Sequence, residues 1–526
     1  MFPPESNLVV WDRPEWIADD WDQYKTGREY DWNKPFFTQF KELMKVAPVP
    51  SRAIVQPVNS DYSNNVSCPK DCYLVFGCTY IENCAYTENS AQIKDSLDST
   101  SVVESELSYE SFFNSKCYKA LYSSRCENCQ DIYFCRDCSG SSNLFGCVGL
   151  KGKSYYIFNE PYSKEEYEKR ITEFGINSYA KREALKKQVA EFWLRFPVRY
   201  AKNIKNVNSS GEYIAHSKNV KKSHYIVNGE NLKYCQGLHV GSARDSYDHY
   251  RYGNNSELIY EGAAVGGDSA NIKFSYHVYE NCNDVEYSWN CNGSSFLFGC
   301  VGLKKAQYCI FNKQYTKEEY EALVPKIIQH MNDMPYMDAK GRVYKYGEFF
   351  PSELAPVSYN ESTAIQYFPI SKEDAIAGGY LWGDSNRKDY AVTLSGEHIP
   401  DTISETKDTI VSEVIGCANA GPGNHECTKA FRITLQELNF YKKLDIPLPR
   451  LCPNCRWAER IKQRNPVQLF QRSCQCAGQV SASGAFKNTA AHFHEANPCP
   501  NEFETAYAPE KPEIVYCEQC YNAEVA

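Results

Sequence analysis

The chain has 526 residues, a formal net charge of −9 and a sequence pI of about 5.7, which excludes a generally basic nucleic-acid-binding surface. Its 14% aromatic content, with 40 tyrosines, argues against general disorder. No run of about 18 apolar residues occurs, so we expect no membrane-spanning helix.

The N-terminal residues contain no basic start followed by an apolar run, so we expect no signal peptide and a cytoplasmic location. In a reducing compartment the 24 cysteines need an explanation other than disulfides, such as metal ligands or buried thiols. Secretion by an unmarked route would restore the disulfide interpretation.

A short unit recurs along residues 56–160. Asp or Asn precedes Cys or Ser in each unit, as at Asp71-Cys72 and Asn83-Cys84, and neighbouring units are mostly 9–13 residues apart. Short β runs broken by Asn, Asp, Ser and Gly at such intervals predict a parallel β-helix (a solenoid), with two units in each coil of roughly 20 residues. Small Cys and Ser side chains would fill its interior.

The chain also contains a duplication. Residues 138–171 recur as residues 291–324, a shift of 153 residues, with 22 identities in 34 aligned positions. Two solenoid halves with one architecture are therefore expected. Helices are expected to interrupt them, because Ser163–Glu166 and Thr316–Glu319 have the sequence of capping boxes.

Four cysteines of the first half have the spacing of a metal site, namely Cys126, Cys129, Cys135 and Cys138. The equivalent positions of the second half hold only two thiols, as Tyr279, Cys282, Ser288 and Cys291. Because the surrounding pattern persists without the other two, we interpret these cysteines as buried thiols of the β core. A Zn or Fe–S site is the alternative.

Two Cys-x₂-Cys pairs stand near the C-terminus, at Cys452 and Cys455 and at Cys517 and Cys520. This spacing lets one tight turn direct two thiols to a single tetrahedral ion, usually Zn²⁺. For the first pair, Cys427 and Cys417 are the upstream partners, with residues 418–426 as an inserted loop. Four thiolates with no open position predict a structural ion, against the alternative of unpaired buried thiols.

The fourth ligand of the second pair is ambiguous. Cys499 precedes a strand-like stretch, as Cys427 does, and Cys474 resembles Cys417 in standing ahead of an inserted loop, so we prefer Cys474. The competing ligands are Cys476, His492 and His494. Each histidine alone is more typical of a surface residue or of a group that supports a ligand. Two structural zinc ions are expected per chain.

The segments CTKAFRI (427–433), NFYKK (439–443) and PRLCPNCR (449–456) resemble the small bacterial zinc-ribbon, or treble-clef, domains. More broadly, the chain resembles an uncharacterised bacterial family that joins such ribbons to a Cys/Asn/Tyr-rich repeat region. The GCVGL and YSKEEYE motifs and residues 347–351 and 359–362 fit that resemblance. It implies a fold and zinc, and no activity. The chain departs from the ribbon pattern where the first knuckle of each site is split.

The predicted fold is mainly β, a duplicated parallel β-helix with helical interruptions and a C-terminal zinc-ribbon module. Its predicted parts are an N-terminal capping segment (1–55), solenoid half 1 (56–160), a helical insertion (161–210), solenoid half 2 (211–313), an exit helix and connector (314–410) and a double zinc-ribbon module (411–526).

Residues 450–472 form a basic segment, with five Arg and one Lys against one Glu. Such a cluster can grip phosphates and stack on a base. The candidate nucleic-acid contacts are Arg456, Trp457, Arg460, Lys462 and Arg464. The alternative is a solvated helix, or one whose charges contact the chain's own acidic repeats.

The sequence therefore favours a non-enzymatic zinc-binding scaffold that contacts protein or nucleic acid. A β-helix enzyme acting on carbohydrate is the first alternative, although no acidic pair recurs with a partner His or Arg. A metal-storage or thiol redox protein is the second. No catalytic residue is assigned, and a capped monomer and an oligomer are equally compatible with the sequence.

Overall fold

The computed structural model describes residue 2 and residues 6–238, 241–383, 390–420 and 427–525. Over these residues, strands form two long and almost wholly parallel sheets, and helices lie before, between and after them. None of the described helices is both long and apolar enough to cross a membrane. The fold is strand-rich with long parallel sheets, which confirms this part of the sequence prediction.

The N-terminal segment packs against the second sheet. Its elements are strand β1 (Val10–Trp11), helix α1 (Arg13–Ile17), a 3-10 helix (Gln23–Thr26), helix α2 (Phe36–Met44) and strand β2 (Val49–Pro50). Phe36, Phe37 and Phe40 share one face of α2 and are each 1% exposed. The Phe36 ring lies 5.5 Å from Phe298 and 5.3 Å from Tyr287, measured between ring centroids. The segment predicted to cap the repeats therefore contacts their second half.

The first sheet has ten strands in chain order, all parallel except the last. They are β3 (Ile54–Val55), β4 (Val66–Lys70), β5 (Thr79–Glu82), β6 (Ala91–Lys94), β7 (Val103–Glu106), β8 (Tyr118–Leu121), β9 (Gln130–Tyr133), β10 (Ser142–Phe145), β11 (Ser154–Ile157) and β12 (Glu160–Pro161).

Successive strands of this sheet pair at a fixed offset in the sequence. Thr79 stands opposite Ala91, and Ile81 opposite Ile93. The same offset separates Asn83 from Asp95, which are hydrogen bonded across 12 residues of sequence. One sequence unit, not two, therefore separates paired strands, and the predicted coil of roughly 20 residues is wrong.

The backbone of this region is left-handed at every third residue. One stretch of such residues is Asn83, Tyr86, Asn89, Gln92 and Asp95. Ile81 and Cys84 follow the same period of three and are 2% and 0% exposed. Asn and Asp tolerate this conformation better than other side chains. This explains why they precede the buried Cys or Ser of each unit. The offset between paired strands brings Asn83 beside Asp95, and Asn83 Nδ2 donates to Asp95 Oδ1 at 2.5 Å.

Two helices and a short strand follow the first sheet, namely α3 (Lys164–Phe174), α4 (Tyr179–Trp193) and β13 (Val198–Arg199). The predicted capping box is present, because the Ser163 hydroxyl accepts from the N–H of Glu166 and the Glu166 carboxylate accepts from the N–H of Ser163. The helical insertion is therefore a pair of helices.

The second sheet has thirteen strands, parallel except for the last. They are β14 (Gly211–Ala215), β15 (Lys218–Lys221), β16 (Ser223–Val227), β17 (Gly229–Lys233), β18 (Gln236–Leu238), β19 (Ala243–Tyr252), β20 (Ser256–Gly266), β21 (Ala270–Tyr279), β22 (Asn283–Glu286), β23 (Trp289–Asn292), β24 (Ser295–Phe298), β25 (Gln307–Ile310) and β26 (Lys313–Gln314).

The offset between paired strands varies within the second sheet. Ile214 stands opposite Ile226, which keeps the offset of the first sheet. Ile259 stands opposite Ile272, which is one residue more. Leu232 stands opposite Ser246, which is two residues more, so the long central strands accommodate one or two extra residues between paired positions.

The connector contains mostly short elements. They are α5 (Lys317–Asp333), β27 (Tyr336–Met337), β28 (Val343–Tyr344), α6 (Ala364–Tyr367), α7 (Lys372–Ala377) and 3-10 helices at Ser352–Leu354, Tyr359–Glu361, Gly396–His398, Ile403–Glu405 and Asp408–Ser412. The capping box predicted at Thr316 and Glu319 is present and begins α5.

The C-terminal module consists of β29 (Ile415–Gly416), β30 (Ala430–Phe431), α8 (Leu435–Leu444), α9 (Pro453–Ile461), β31 (Phe470–Ser473), β32 (Glu502–Thr505), β33 (Val515–Tyr516) and α10 (Glu518–Val525). Strand β33 pairs with β13 in parallel, with Val198 opposite Val515. The module is therefore joined by backbone hydrogen bonds to the segment between the two sheets.

In the first sheet region (residues 54–161) every cysteine except the partly exposed Cys68 is buried, and several of the buried thiols donate to backbone carbonyls. The Cys129 thiol donates to the carbonyl of Glu127 at 3.3 Å, and the Cys138 thiol donates to that of Arg136 at 3.5 Å. Among the described residues, no group of three or more closely spaced metal-ligand atoms includes either thiol. These contacts agree with the interpretation of the repeat cysteines as buried thiols.

Glu212 of β14 gives the fold a pH dependence. Its side chain is 1% exposed, and its Oε1 has no hydrogen-bond partner among the described residues. Burial raises its pKa to about 7, against the opposing charge of Lys202. Because the folded state binds the proton more tightly, this stability is fully present below pH 4.5 and is lost as pH rises through 7, by about 3 kcal/mol.

Glu212→Gln should therefore flatten the fall in unfolding free energy between pH 5 and pH 8. Urea unfolding of the variant and the wild type at both pH values measures it. Equal slopes in the two proteins would contradict a proton bound at Glu212 in the folded state.

Candidate metal centres

The first four-thiol group lies at the base of helix α9. Its members are Cys417, Cys427, Cys452 and Cys455, all buried, with their sulfur atoms within 4.8 Å of one another. Cys417 follows β29, and Cys427 precedes β30. Cys452 is the N-cap of α9 and Cys455 lies in its first turn, which Pro453 begins. Residues 421–426 of the predicted inserted loop lie outside the described residues.

The geometry of this group fits a tetrahedral ion. The Sγ atoms of Cys427 and Cys452 are 3.9 Å apart. Metal–sulfur bonds of about 2.3 Å at tetrahedral angles place two sulfurs about 3.8 Å apart. The Cys452 N–H donates to Cys417 Sγ at 3.2 Å, and the Lys429 N–H donates to Cys427 Sγ at 3.3 Å. Such bonds stabilise thiolates, and a hydrogen bond with the Cys417 thiol lowers the pKa of Cys452.

The second group repeats this arrangement at the base of α10. Its members are Cys474, Cys499, Cys517 and Cys520, all buried, with sulfurs within 4.8 Å of one another. The Cys517 N–H donates to Cys474 Sγ at 3.2 Å, as in the first group, and the sulfurs of Cys499 and Cys517 are 3.9 Å apart. A hydrogen bond with the Cys474 thiol lowers the pKa of Cys517 to about 4. The structure thus gathers the eight cysteines that the sequence grouped, with Cys474 in the position of Cys417.

A third group contains the residues that the sequence treated as competitors for the second ion. Cys476, His492 and His494 lie with Cys520, and their ligand atoms are within 4.8 Å of one another. His492 is buried and His494 is partly buried, so of the two expected roles, surface residue or support for a ligand, the first does not hold for His492. They form a separate set that shares only Cys520 with the second group.

Two arginines of the basic segment face the first sheet region and not the solvent. Arg456 and Arg460 are 5% and 3% exposed. Each donates from Nη1 to a different oxygen of Asp98, in both cases at 2.7 Å, and Asp98 is fully buried. Arg456 also pairs with Glu437 of α8 at 3.3 Å. These two guanidinium groups are occupied within the chain, which corrects the expectation that they contact nucleic acid.

The other candidate contacts are also largely used within the chain. Trp457 Nε1 donates to Glu88 at 2.7 Å. The Arg464 guanidinium lies 4.2 Å over the Tyr367 ring. Lys462 is exposed and pairs with Glu459 on its own helix. Of the five candidates, only Lys462 projects a mainly exposed cation, which is too little for a phosphate-binding patch.

Asp98 was not identified from the sequence as the partner of Arg456 and Arg460, although the sequence contains a signal for it. When the repeats are aligned at the offset of the paired strands, its column reads Leu74, Tyr86, Asp98, Glu110, Tyr122 and Phe134. Two acids in an otherwise apolar column mark places where a basic element packs: Asp98 receives two arginines, and Glu110 receives Lys186 of α4 at 2.7 Å. The correct repeat length is needed before this column can be read.

No family model and no curated protein sequence matches this chain. One partly similar solved structure is a protein of Desulfovibrio desulfuricans G20 that is provisionally described as an acetyltransferase. The similarity covers 55% of this chain and 84% of that chain, at 9% identity and a TM-score of 0.11. A likeness at this level carries no argument about fold or activity.

Proposed function

We propose that the chain is a non-enzymatic zinc-binding scaffold for protein partners, in which structural zinc ions hold a double zinc-ribbon module against a parallel β-helix. The observation that carries the proposal is the presence of two equivalent groups of four buried thiols, each at the base of a helix. Four thiolates leave no coordination position for a substrate, which is typical of structural zinc.

The constant offset between paired strands supports the β-helix. Left-handed residues recur every third position, and so do buried side chains. Each turn would then have four sides of three residues, with columns of Cys, Ser and aliphatic side chains inside. Such a rod, built from nearest-neighbour contacts, offers an extended surface of the kind that repeat proteins use for binding.

The contacts of the two metal groups support a scaffold in which metal binding holds the module in place. The first group positions α9, whose arginines pair with Asp98 of the first sheet region. The second group precedes α10, where Glu518 pairs with Arg199 of β13. Loss of either ion would release the helix that makes these contacts.

Protein is favoured over nucleic acid as the partner because Arg456 and Arg460 form buried ion pairs with Asp98 and the chain carries a net charge of −9. Polyanions bind through several accessible cations. A β-helix enzyme acting on carbohydrate and a metal-storage or thiol redox protein are the other candidate functions, and no arrangement described above favours either one.

Elemental analysis of the purified full-length chain tests this function. We expect little iron and at least the two zinc ions per chain that the eight thiols of the two groups would bind. Zinc far above this amount would mean that the repeat thiols also load, as in a metal store. In gel-shift assays at low salt we expect no retardation of RNA or DNA, and a salt-sensitive shift would contradict the preference for protein partners.

A further inference from the structure

In each histidine of the third group, one ring nitrogen lies at a hydrogen-bond acceptor and the other ring nitrogen faces a thiol. His492 Nε2 lies 2.7 Å from Glu524 Oε1, and both side chains are 1% exposed. Glu524 is itself held by the backbone N–H groups of Thr489 and Ala490. A carboxylate accepts, so Nε2 carries the proton. The unprotonated Nδ1 then faces Cys476 Sγ, 3.6 Å away.

His494 is oriented in the same way. Its Nδ1 lies 2.6 Å from the carbonyl oxygen of Asn497, which can only accept, so the proton is on Nδ1. Its Nε2 faces Cys520 Sγ at 3.2 Å. Metal-bound histidines usually donate their second ring N–H to a carboxylate or a backbone carbonyl, and both kinds of acceptor occur here.

The spacing also fits an ion. For bonds of about 2.3 Å to sulfur and 2.0–2.1 Å to nitrogen, a tetrahedral ion places S and N roughly 3.5 Å apart. The two S–N distances of 3.6 and 3.2 Å lie on either side of this value. Two thiols and two imidazoles are a common ligand set for structural zinc.

We propose that Cys520 is a bridging thiolate of a two-ion centre. One ion is bound by Cys474, Cys499, Cys517 and Cys520, and the second by Cys476, His492, His494 and Cys520. The proposal rests on the proposed function, because it takes the second four-thiol group to hold zinc. The chain would then carry three ions, one in the first group and two in the shared centre.

The charge balance favours the shared centre. One divalent ion with four thiolates has a net charge of −2, in a site whose sulfurs are buried. Adding a second divalent ion together with the Cys476 thiolate and two neutral imidazoles changes this to −1. A smaller uncompensated charge lowers the cost of burial. Asn488 Nδ2 donates to Cys476 Sγ at 3.1 Å and supports its thiolate.

Metal counting on the intact chain tests the number of ions. We expect three zinc ions per chain, and two in the double variant His492→Gln/His494→Gln. The matched control is His224→Gln, which changes a buried histidine of the second sheet and should retain three. Two ions in the wild type, unchanged in the double variant, would overturn the inference while leaving the proposed function intact. No zinc at all would overturn both.

The bridge itself is tested on the wild type, so the result does not depend on a variant that folds. In protein reconstituted with ¹¹³Cd²⁺ we expect three resonances, two of them split by coupling through the shared sulfur. Three unsplit resonances would show independent ions and would contradict the bridging role of Cys520.

Discussion

Replacing Cys452 by serine is expected to remove one zinc ion per chain and to unfold the region around residues 415–461. Cys452 is fully buried, supplies one of four sulfurs and forms the N-cap of α9. Structural zinc contributes roughly 10–16 kcal/mol of apparent binding free energy in small zinc domains, where binding and folding are one process. A serine hydroxyl does not replace a thiolate ligand, so the lost zinc-binding free energy should exceed the stability of this short segment.

Zinc content and limited proteolysis measure this outcome. Cleavage should begin within residues 415–461 while the two sheets remain protected. Cys291→Ser is the matched control, because Cys291 is also fully buried but lies in the second sheet, where its thiol donates to the Trp289 carbonyl at 3.5 Å. Serine can make the same bond, and the control should keep its zinc. Unchanged zinc in Cys452→Ser would contradict the first metal site.

Replacing Asp98 by alanine is expected to destabilise the chain by about 3–5 kcal/mol. Asp98 pairs with Arg456 and Arg460 and is fully buried, so its removal leaves two guanidinium groups in a dry environment, with Glu437 to compensate only one. Restoring their hydration requires α9 to separate from the first sheet region.

Urea unfolding, with the zinc content monitored, measures this effect. The control is Glu82→Ala, which breaks the exposed pair between Glu82 and Lys70 at 2.8 Å. Exposed pairs contribute about 0–1 kcal/mol, and the control should stay within that range. A loss of less than about 1 kcal/mol of unfolding free energy in Asp98→Ala would contradict this prediction, because it would mean that α9 separates from Asp98 at little cost. The variant should retain its zinc, which distinguishes failed packing from a failed metal site.

Features set by neighbouring residues were predictable from the amino-acid order. The Cys-x₂-Cys spacing identified the thiols at the starts of α9 and α10, and the capping boxes at Ser163 and Thr316 both begin helices. Each of these devices depends on atoms a few residues apart, so the local sequence specifies it with little help from the rest of the chain.

The offset between paired strands equals the spacing of the sequence units, but the sequence does not show how many units separate two paired strands. Many known structural repeats have 20 residues or more, which favours two units in each predicted coil, whereas a single unit separates paired strands in the structure. The left-handed conformation at every third position is not confined to Asn and Asp, because Tyr86 and Gln92 adopt it as well as Asn83, so residue propensity alone does not predict it. Parallel bridges outside the named strands, such as those of Tyr73 with Ala85 and of Phe76 with Glu88, stabilise this backbone.

Contacts between residues far apart in sequence could be identified only from the tertiary structure. Asp98 and Arg456 are 358 residues apart, so nothing local distinguishes a buried ion pair from a solvated basic helix. His492 could be recognised as a ligand candidate from its type, but its partner Glu524 and the sharing of Cys520 depend on where α10 lies against the preceding loop. Caps and Cys-x₂-Cys turns depend on residues that are close in sequence, so the sequence alone specifies them. The burial of Asp98 and the sharing of Cys520 depend on contacts between segments that are distant in sequence, so only the tertiary structure specifies them.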